Sequence, residues 1–413
     1  MSNPTIVATC YAVNPYKGSE DGMGWNFVYQ IARFNTVFAI TRENNQEAIE
    51  KYMRHNPDPV YDNITFLYFD LPYWMRFWKK GGRGAMLYYY MWQKGIVKFI
   101  QNKKLIFDIA HNVNFHNDWT PSFLYQLKKP MVWGPVGHHP AIPKTYLQLA
   151  TTTFKLKDKA TWYIKKAFWK WSPALHKTIK NASHIWCMNT GVPEVLKLEN
   201  DSFSVFPSVA SEDFYTDIIP KKAHFNLISV GRFVPLKGFD LSLHAFAAFI
   251  NSLTISEKKA CHLTLVGSGN EIGLYRTIIA QNEMESYVTI IEWIDRAELM
   301  KLYEQSAIFL FPSHEGAGMV VAEALSFGLP VICLDNQGPG QYIDENCGFA
   351  IPEAPYMETI LGLKTAIQKL YSSPNLLYQM SGNARKKYQE RFTWNSRGEY
   401  LQTIYNQLHP CES

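Results

Sequence analysis

One stretch constrains the fold more than any other. Ala307 to Glu323 reads as an apolar strand, a short polar turn and an apolar helix. Ala307–Phe311 is continuously apolar, the pattern of a strand buried on both faces, which requires helices on both sides and parallel neighbours. Pro312-Ser313 and then His314-Glu315-Gly316-Ala317-Gly318 follow, and a helix begins near Met319. Gly316 and Gly318 free the backbone there. Such a turn aims unpaired N–H groups, those of Met319 and Val320 among them, at whatever sits above it. The positive end of the helix dipole, about 0.5 elementary charge, points the same way, and phosphate is the natural occupant. Glu315 precedes the helix and Glu323 lies about one turn inside it. They predict two separate contacts on one ligand rather than a contiguous acid pair.

The same alternation recurs along the chain. Asn226–Val230, His262–Val266, Val288–Glu292 and Pro330–Leu334 are further strands of the C-terminal half, each followed by a helical pattern. In the N-terminal half the strands are Thr5–Thr9, a second ending at Thr41-Arg42, Ile64–Phe69, Ile106–Ala110, one near Val132 and Ile185–Met188, with a helix opening at Pro121-Ser122. The expected class is α/β with parallel sheets. A chain of 413 residues is long enough for two or three domains. The expected division is an N-terminal Rossmann-like domain over 1–205, a hinge over 206–222, a C-terminal domain over 223–390 and a closing helix over 391–413.

Charge separates the two halves. Residues 1–200 hold 25 basic and 13 acidic side chains, whereas 201–413 hold 16 and 23. The basic half is expected to meet an anionic surface or substrate. Two of its segments mix cations with aromatic rings. Residues 71–104 carry eight basic residues and no acid, among Trp74, Phe77, Trp78, Tyr88, Tyr89, Tyr90 and Trp92. Residues 151–180 carry eight lysines and one acid, with Trp162, Phe168, Trp169 and Trp171 between them. Trp162, Lys166, Trp169 and Lys170 recur at helical spacing, so one face is expected to present rings and ammonium groups together. This composition suits an anionic membrane surface. Nucleic acid is not expected, because no nucleic-acid motif accompanies it.

Other classes are excluded more simply. No apolar run reaches the roughly 18 residues of a spanning helix. The start, Met1-Ser2-Asn3-Pro4, has neither the basic flank nor the apolar core of a secretory leader. The six cysteines show no C-x-x-C and no metal spacing, as expected of buried thiols in a reducing cytoplasm. A cytoplasmic protein, peripheral on the inner face of the cell membrane, is therefore expected.

Further polar clusters are candidate ligand contacts. The loop from Pro15 to Gly24 holds Gly18, Gly22 and Gly24 and leads into a helical pattern over Trp25–Ala32, yet it is not the dinucleotide pattern G-x-G-x-x-G. His111, Asn112, Asn114, His116, Asn117 and Asp118 gather past the Ile106–Ala110 strand, at the edge where parallel sheets bind ligands. His138-His139 lacks the remaining ligands of a metal site, so an acceptor contact or a polar loop is expected.

Three ordered motifs carry a family resemblance. Glu315 to Glu323 resembles the E-x7-E signature of family 4 retaining glycosyltransferases. Ala324-Leu325-Ser326-Phe327-Gly328-Leu329-Pro330-Val331-Ile332 is similar to the A-x-x-x-G-x-P-V-I run of that family, and Gly231-Arg232-Phe233-Val234-Pro235-Leu236-Lys237-Gly238 to its G-R-x-x-x-x-K-G loop. Ala317 departs from it, standing where the family usually has an aromatic and leaving room beside the donor sugar. The resemblance implies a GT-B enzyme, two Rossmann-like domains facing across a cleft, with a nucleotide-sugar donor and a saccharide or lipid-linked acceptor. By that resemblance Arg232 and Lys237 neutralise the leaving diphosphate, Glu315 reaches the donor sugar, and Glu323 takes the ribose hydroxyls. The N–H groups of Gly316, Ala317 and Gly318 hold sugar hydroxyls, those of Met319 and Val320 support the diphosphate, and the base lies against Trp293-Ile294. Gly267 completes the donor set, and the loop with Gly18, Gly22 and Gly24 faces the diphosphate. His111 or His116 lies near the donor sugar. The family retains anomeric configuration. The chain has no aspartate-x-aspartate triplet, so neither metal nor cofactor is implied. The tail through Arg391-Phe392-Thr393-Trp394 is similar to the family's crossing helix. A nucleotide-sugar epimerase and a non-catalytic membrane scaffold are the alternatives; a scaffold would need none of Arg232, Lys237, Glu315 and Glu323.

Overall fold

The computed structural model describes residues 3–79, 81, 84–113, 117–199, 201–214 and 224–409. They form two compact units. The first comprises Met1–His138, Ala160–Ser208 and Trp394–Ser413; the second comprises His139–Lys159 and Val209–Thr393.

The first unit is built on seven parallel strands: β1 (Thr5–Thr9), β2 (Thr36–Thr41), β3 (Ile64–Tyr68), β4 (Ile109–Asn112), β5 (Met131–Val136), β6 (His184–Cys187) and β7 (Phe203–Val205). Their order is β3-β2-β1-β4-β5-β6-β7, so the winding reverses between β1 and β4. Strands β4, β5 and β6 are buried along their whole length, as central strands covered on both faces must be. The helix Ala85–Lys103 sends Tyr88, Tyr89, Trp92 and Ile96 into this core, where the Trp92 indole N–H donates to the Phe69 carbonyl at 2.9 Å. The helix Trp394–Leu408 packs within this unit through Asn395 to Arg33 at 2.9 Å and Gln402 to Asn35 at 2.7 Å.

The second unit repeats the scheme with six parallel strands: β8 (Phe225–Val230), β9 (Cys261–Val266), β10 (Val288–Ile291), β11 (Ile308–Phe311), β12 (Val331–Asp335) and β13 (Gly348–Pro352), in the order β10-β9-β8-β11-β12-β13. Here the reversal falls between β8 and β11, which carry the two motif loops at their C-terminal ends. Ligands bind at such switch points in open α/β sheets.

Several expectations are corrected. Residues 139–159 belong to the second unit: Ile142 and Tyr146 are part of its core, and the Tyr146 hydroxyl donates to the Ala354 carbonyl at 2.7 Å. Part of the expected hinge is packed chain: Ser211 is pinned in the second unit by the Phe392 carbonyl and the Tyr388 hydroxyl, each at 3.0 Å, and residues 215–222 lie outside the described residues. The edge strand β13 also escaped the sequence reading. Ile106 is 90% exposed and precedes β4, and only a short 3-10 turn, Leu124–Leu127, follows Pro121. The first helix starts at Ser19, so Gly22 and Gly24 are helical rather than loop residues. A side chain at Gly22 would meet the Lys17 carbonyl oxygen at 2.3 Å, which gives that glycine a packing reason.

Candidate active site

The C-terminal edge of the second sheet gathers most of the predicted residues. Strand β8 ends at Gly231 and Arg232, and the chain then turns through Pro235–Lys237. Lys237 lies back across Gly231, whose missing Cβ would meet the lysine Cε at 3.1 Å. That path delivers Nζ to Glu315 Oε2 at 2.7 Å and over the Phe311 ring at 5.0 Å. Both partners are largely buried, with side chains 9% and 16% exposed. The pair links the two motif loops, which lie 78 positions apart in sequence. Arg232, in contrast, is exposed, and no described residue pairs with its guanidinium.

Beyond β11 the turn is braced from several sides. Ser313 Oγ accepts from the Glu315 N–H at 3.2 Å, and Asn336 donates to the Ser313 carbonyl at 2.9 Å. His314 is buried against Glu353 Oε1 at 3.0 Å and the Tyr146 ring, centroids 4.9 Å apart. His139 Nδ1 accepts from the Gly316 N–H at 3.1 Å. Gly318 adopts φ +88°, a left-handed conformation that brings the chain into the helix Met319–Ser326 with no side-chain cap. No described residue accepts from the N–H groups of Ala317, Gly318, Met319 or Val320. These donors, Arg232 and Lys237 form a ready site for an anionic ligand.

Glu323 sits one turn into that helix and is already engaged. Its Oε1 accepts from Arg296 at 3.0 Å and its Oε2 from the Tyr303 hydroxyl at 3.4 Å. Burial pushes its carboxyl above the usual range, while Arg296 pulls it back down. The sequence reading missed both partners. Arg296 and Tyr303 are seven residues apart on the helix Arg296–Gln305, so they share one face, and that spacing was the available signal. His139 was also missed as a brace of this turn; no spacing in the sequence connects it to Gly316.

The other predicted residues divide. Gly267 follows β9 and packs so closely that a Cβ would meet the Gly231 carbonyl at 1.9 Å, so it shapes the edge. Trp293 is 79% exposed beyond β10, whereas Ile294 packs against the core. Gly18, Gly22 and Gly24 belong to the first unit. So does His111, and its expected place beside a donor sugar is corrected. His111 is fully buried, with Nδ1 2.6 Å from the Tyr405 hydroxyl and Nε2 2.7 Å from the Gly134 carbonyl. The carbonyl can only accept, so Nε2 carries the proton and Nδ1 accepts from Tyr405. Burial lowers its pKa to about 4, which keeps the ring neutral and structural. His116 lies outside the described residues. Among the described residues, no three His, Cys, Asp or Glu side chains gather as a metal site.

Residues 215–387 match the family model described as glycosyl transferases group 1. That match lies within the second unit and spans its six strands. Among sequence relatives, the alpha-1,3/1,6-mannosyltransferase ALG2 of Homo sapiens is 27% identical over 242 residues, covering 56% of this chain and 55% of that protein. The chain thus spans about half the length of the curated relatives it matches. Solved structures extend the likeness to the whole fold. A glycosyltransferase from Rickettsia africae superposes with a TM-score of 0.65 at 15% identity, covering all of both chains. WaaG, a glycosyltransferase involved in lipopolysaccharide biosynthesis, gives 0.60 at 19% identity over 97% of this chain and 99% of its own. The GT-B fold of two Rossmann-like parallel sheets, expected from the motifs, is therefore the fold observed.

Proposed function

We propose that this chain is a retaining, metal-independent glycosyltransferase that moves a sugar from a nucleotide-sugar donor to a saccharide or lipid-linked acceptor. The observation that carries the proposal is the unpaired Arg232 beside the Lys237–Glu315 pair and the uncapped helix start at Met319 and Val320. Negative charge grows on the diphosphate as the bond from the sugar carbon to phosphate oxygen breaks. A fixed guanidinium, an ammonium group and oriented N–H donors stabilise that charge where it develops. The acceptor hydroxyl oxygen bonds to the same carbon, and its proton passes to the departing diphosphate. Glu323, held by Arg296 and Tyr303, takes the ribose hydroxyls, and Trp293 offers an exposed ring to the base. A UDP complex of the pneumococcal O-GlcNAc transferase GtfA, which shares the fold at a TM-score of 0.62, is consistent with a nucleotide in this class of site.

The basic first unit supports a lipid-linked acceptor. Tyr73, Trp74 and Phe77 are exposed beside Arg76 and Lys79, and Tyr163, Ile164 and Trp171 are exposed on the lysine-rich helix Thr152–Trp171. Trp162 and Trp169 are half-buried on that helix, so they are not the rings offered to a membrane. Among the described residues, no helix is long and apolar enough to cross one.

Thermal-shift screening of the full chain against nucleoside diphosphates and their sugar conjugates, followed by transfer assays with the donor found, tests the catalytic reading. Stabilisation by one nucleotide family and transfer with retained configuration are expected. Release of free sugar and nucleotide as the sole products, with any acceptor, would favour the epimerase. Co-sedimentation with anionic vesicles, weakened when Lys165, Lys166 and Lys170 are together changed to Glu, tests the membrane reading; equal sedimentation with neutral vesicles would defeat it.

A further inference from the structure

Two of the buried histidines in the first unit, His111 and His138, lie at the C-terminal edge of its sheet, and they are wired differently. His111 has both ring nitrogens occupied, as a structural histidine should. His138, just past β5, has one. Its Nδ1 is 2.7 Å from Asp118 Oδ2, and both residues are almost fully buried, at 4% and 1% exposure. A carboxylate only accepts, so Nδ1 carries the proton and Nε2 is the ring nitrogen left to meet a ligand. No described residue engages that Nε2.

The surroundings hold this pair rigidly. The His138 carbonyl accepts from Asn189 at 2.9 Å, and the Asp118 carbonyl accepts from the Trp169 indole N–H at 3.2 Å. Trp162 and Trp169 stand beside the imidazole, with ring centroids 6.1 and 5.7 Å away. The two indoles are 5.6 Å apart and inclined at 64°, and each remains partly exposed. Among the described residues, Nε2 is not one of the buried polar atoms left without a partner, so it lies open to a ligand. An apolar wall of indole rings next to one fixed ring nitrogen suits a ligand with a C–H face and hydroxyls at its rim. A pyranose has both. Asp118 and His138 follow the adjacent strands β4 and β5 at the C-terminal edge, where open α/β sheets take their ligands.

We propose that His138, oriented by Asp118 and flanked by Trp162 and Trp169, binds a pyranose ring of the acceptor, its Nε2 hydrogen-bonding to a sugar hydroxyl while the ring stacks on indole. The acceptor role rests on the transferase reading; sugar binding at this place does not. The test uses saturation-transfer NMR on the full chain, with methyl α-mannopyranoside, methyl β-galactopyranoside and methyl N-acetyl-β-glucosaminide as probes. UDP, GDP and ADP thermal shifts are recorded on the same samples. His138→Asn keeps an N–H at the Nδ1 position for Asp118 but removes Nε2. A purely structural histidine predicts unchanged binding in that variant. The inference predicts a glycoside signal in the wild-type protein, weakened about tenfold or more in affinity by His138→Asn, with the nucleotide shift unchanged. If His138→Asn lowers the melting temperature, Trp162→Leu, which leaves the Asp118 hydrogen bond intact, must produce the same loss. Absence of any glycoside signal in the wild-type chain, or wild-type binding in both variants, overturns the subsite. A glycoside signal lost in the variants with no nucleotide shift in the wild-type chain would uphold the subsite and overturn the transferase reading instead.

Discussion

Removing Lys237 separates what the ion pair does for the fold from what it does for a ligand. Lys237→Ala leaves the Glu315 carboxylate 16% exposed with no counter-ion at 2.7 Å. Breaking a fully buried pair in this way costs about 3–5 kcal/mol, and the residual exposure of Glu315 places the cost near about 2–3 kcal/mol. Losing the aliphatic stem, which lies across Gly231, adds about 1 kcal/mol. Glu315→Gln in the same background removes the stranded charge and should recover about 2 kcal/mol, because a neutral amide is far cheaper to bury. Activity should not follow stability. Both Lys237→Ala and the double variant should lose about 10² to 10³ in kcat/KM, since neither supplies the cation at the diphosphate. Native-state hydrogen exchange at the β8 and β11 amides reports the opening of this unit without assuming one global transition. A loss under about 0.5 kcal/mol for Lys237→Ala, or a double variant no more stable than the single one, would refute the assignment of Lys237 as a buried partner of Glu315.

Arg232→Ala should behave oppositely: the residue is exposed and unpaired, so stability stays within about 0.5 kcal/mol while kcat/KM falls by about 10² to 10³, and wild-type turnover would remove its role. Glu271 is buried at the start of the helix Ile272–Gln281, and burial, with Asp240 nearby, raises its pKa to about 7. The folded value lies above the unfolded one, so the protonated form is favoured by the fold; the penalty is absent below about pH 4.5, grows toward pH 7 and is fully present above it. Glu271→Gln should therefore match the wild-type protein at pH 4.5 and be more stable at pH 8, by about 1–2 kcal/mol after solvent screening, and equal unfolding midpoints at pH 8 would contradict this. Transfer should survive excess EDTA, and loss of activity restored by Mg²⁺ or Mn²⁺ would show that a metal shares the diphosphate with Arg232 and Lys237.

The sequence by itself determined the two parallel sheets and the motif loops that follow β8 and β11. Continuous apolar runs such as Ala307–Phe311 have few ways to be buried, and the spacing from Glu315 to Glu323 is local, so a strand, a turn and one helix carry it. Edge strands were less legible: β7 has three residues and β13 alternates weakly, so neither gives a period to count. What only the tertiary structure decided are contacts between residues far apart in the chain. Lys237 meets Glu315 because β8 and β11 are neighbours in a reversed winding order, and His139 reaches Gly316 because residues 139–159 fold into the second unit. His111 and His138 are both polar residues at strand ends in the sequence. Burial beside Tyr405 and Gly134 makes the first a neutral structural ring, while Asp118 fixes only one nitrogen of the second. A side chain's chemistry follows from which groups surround it, and chain pattern specifies neighbours only within a turn or a strand.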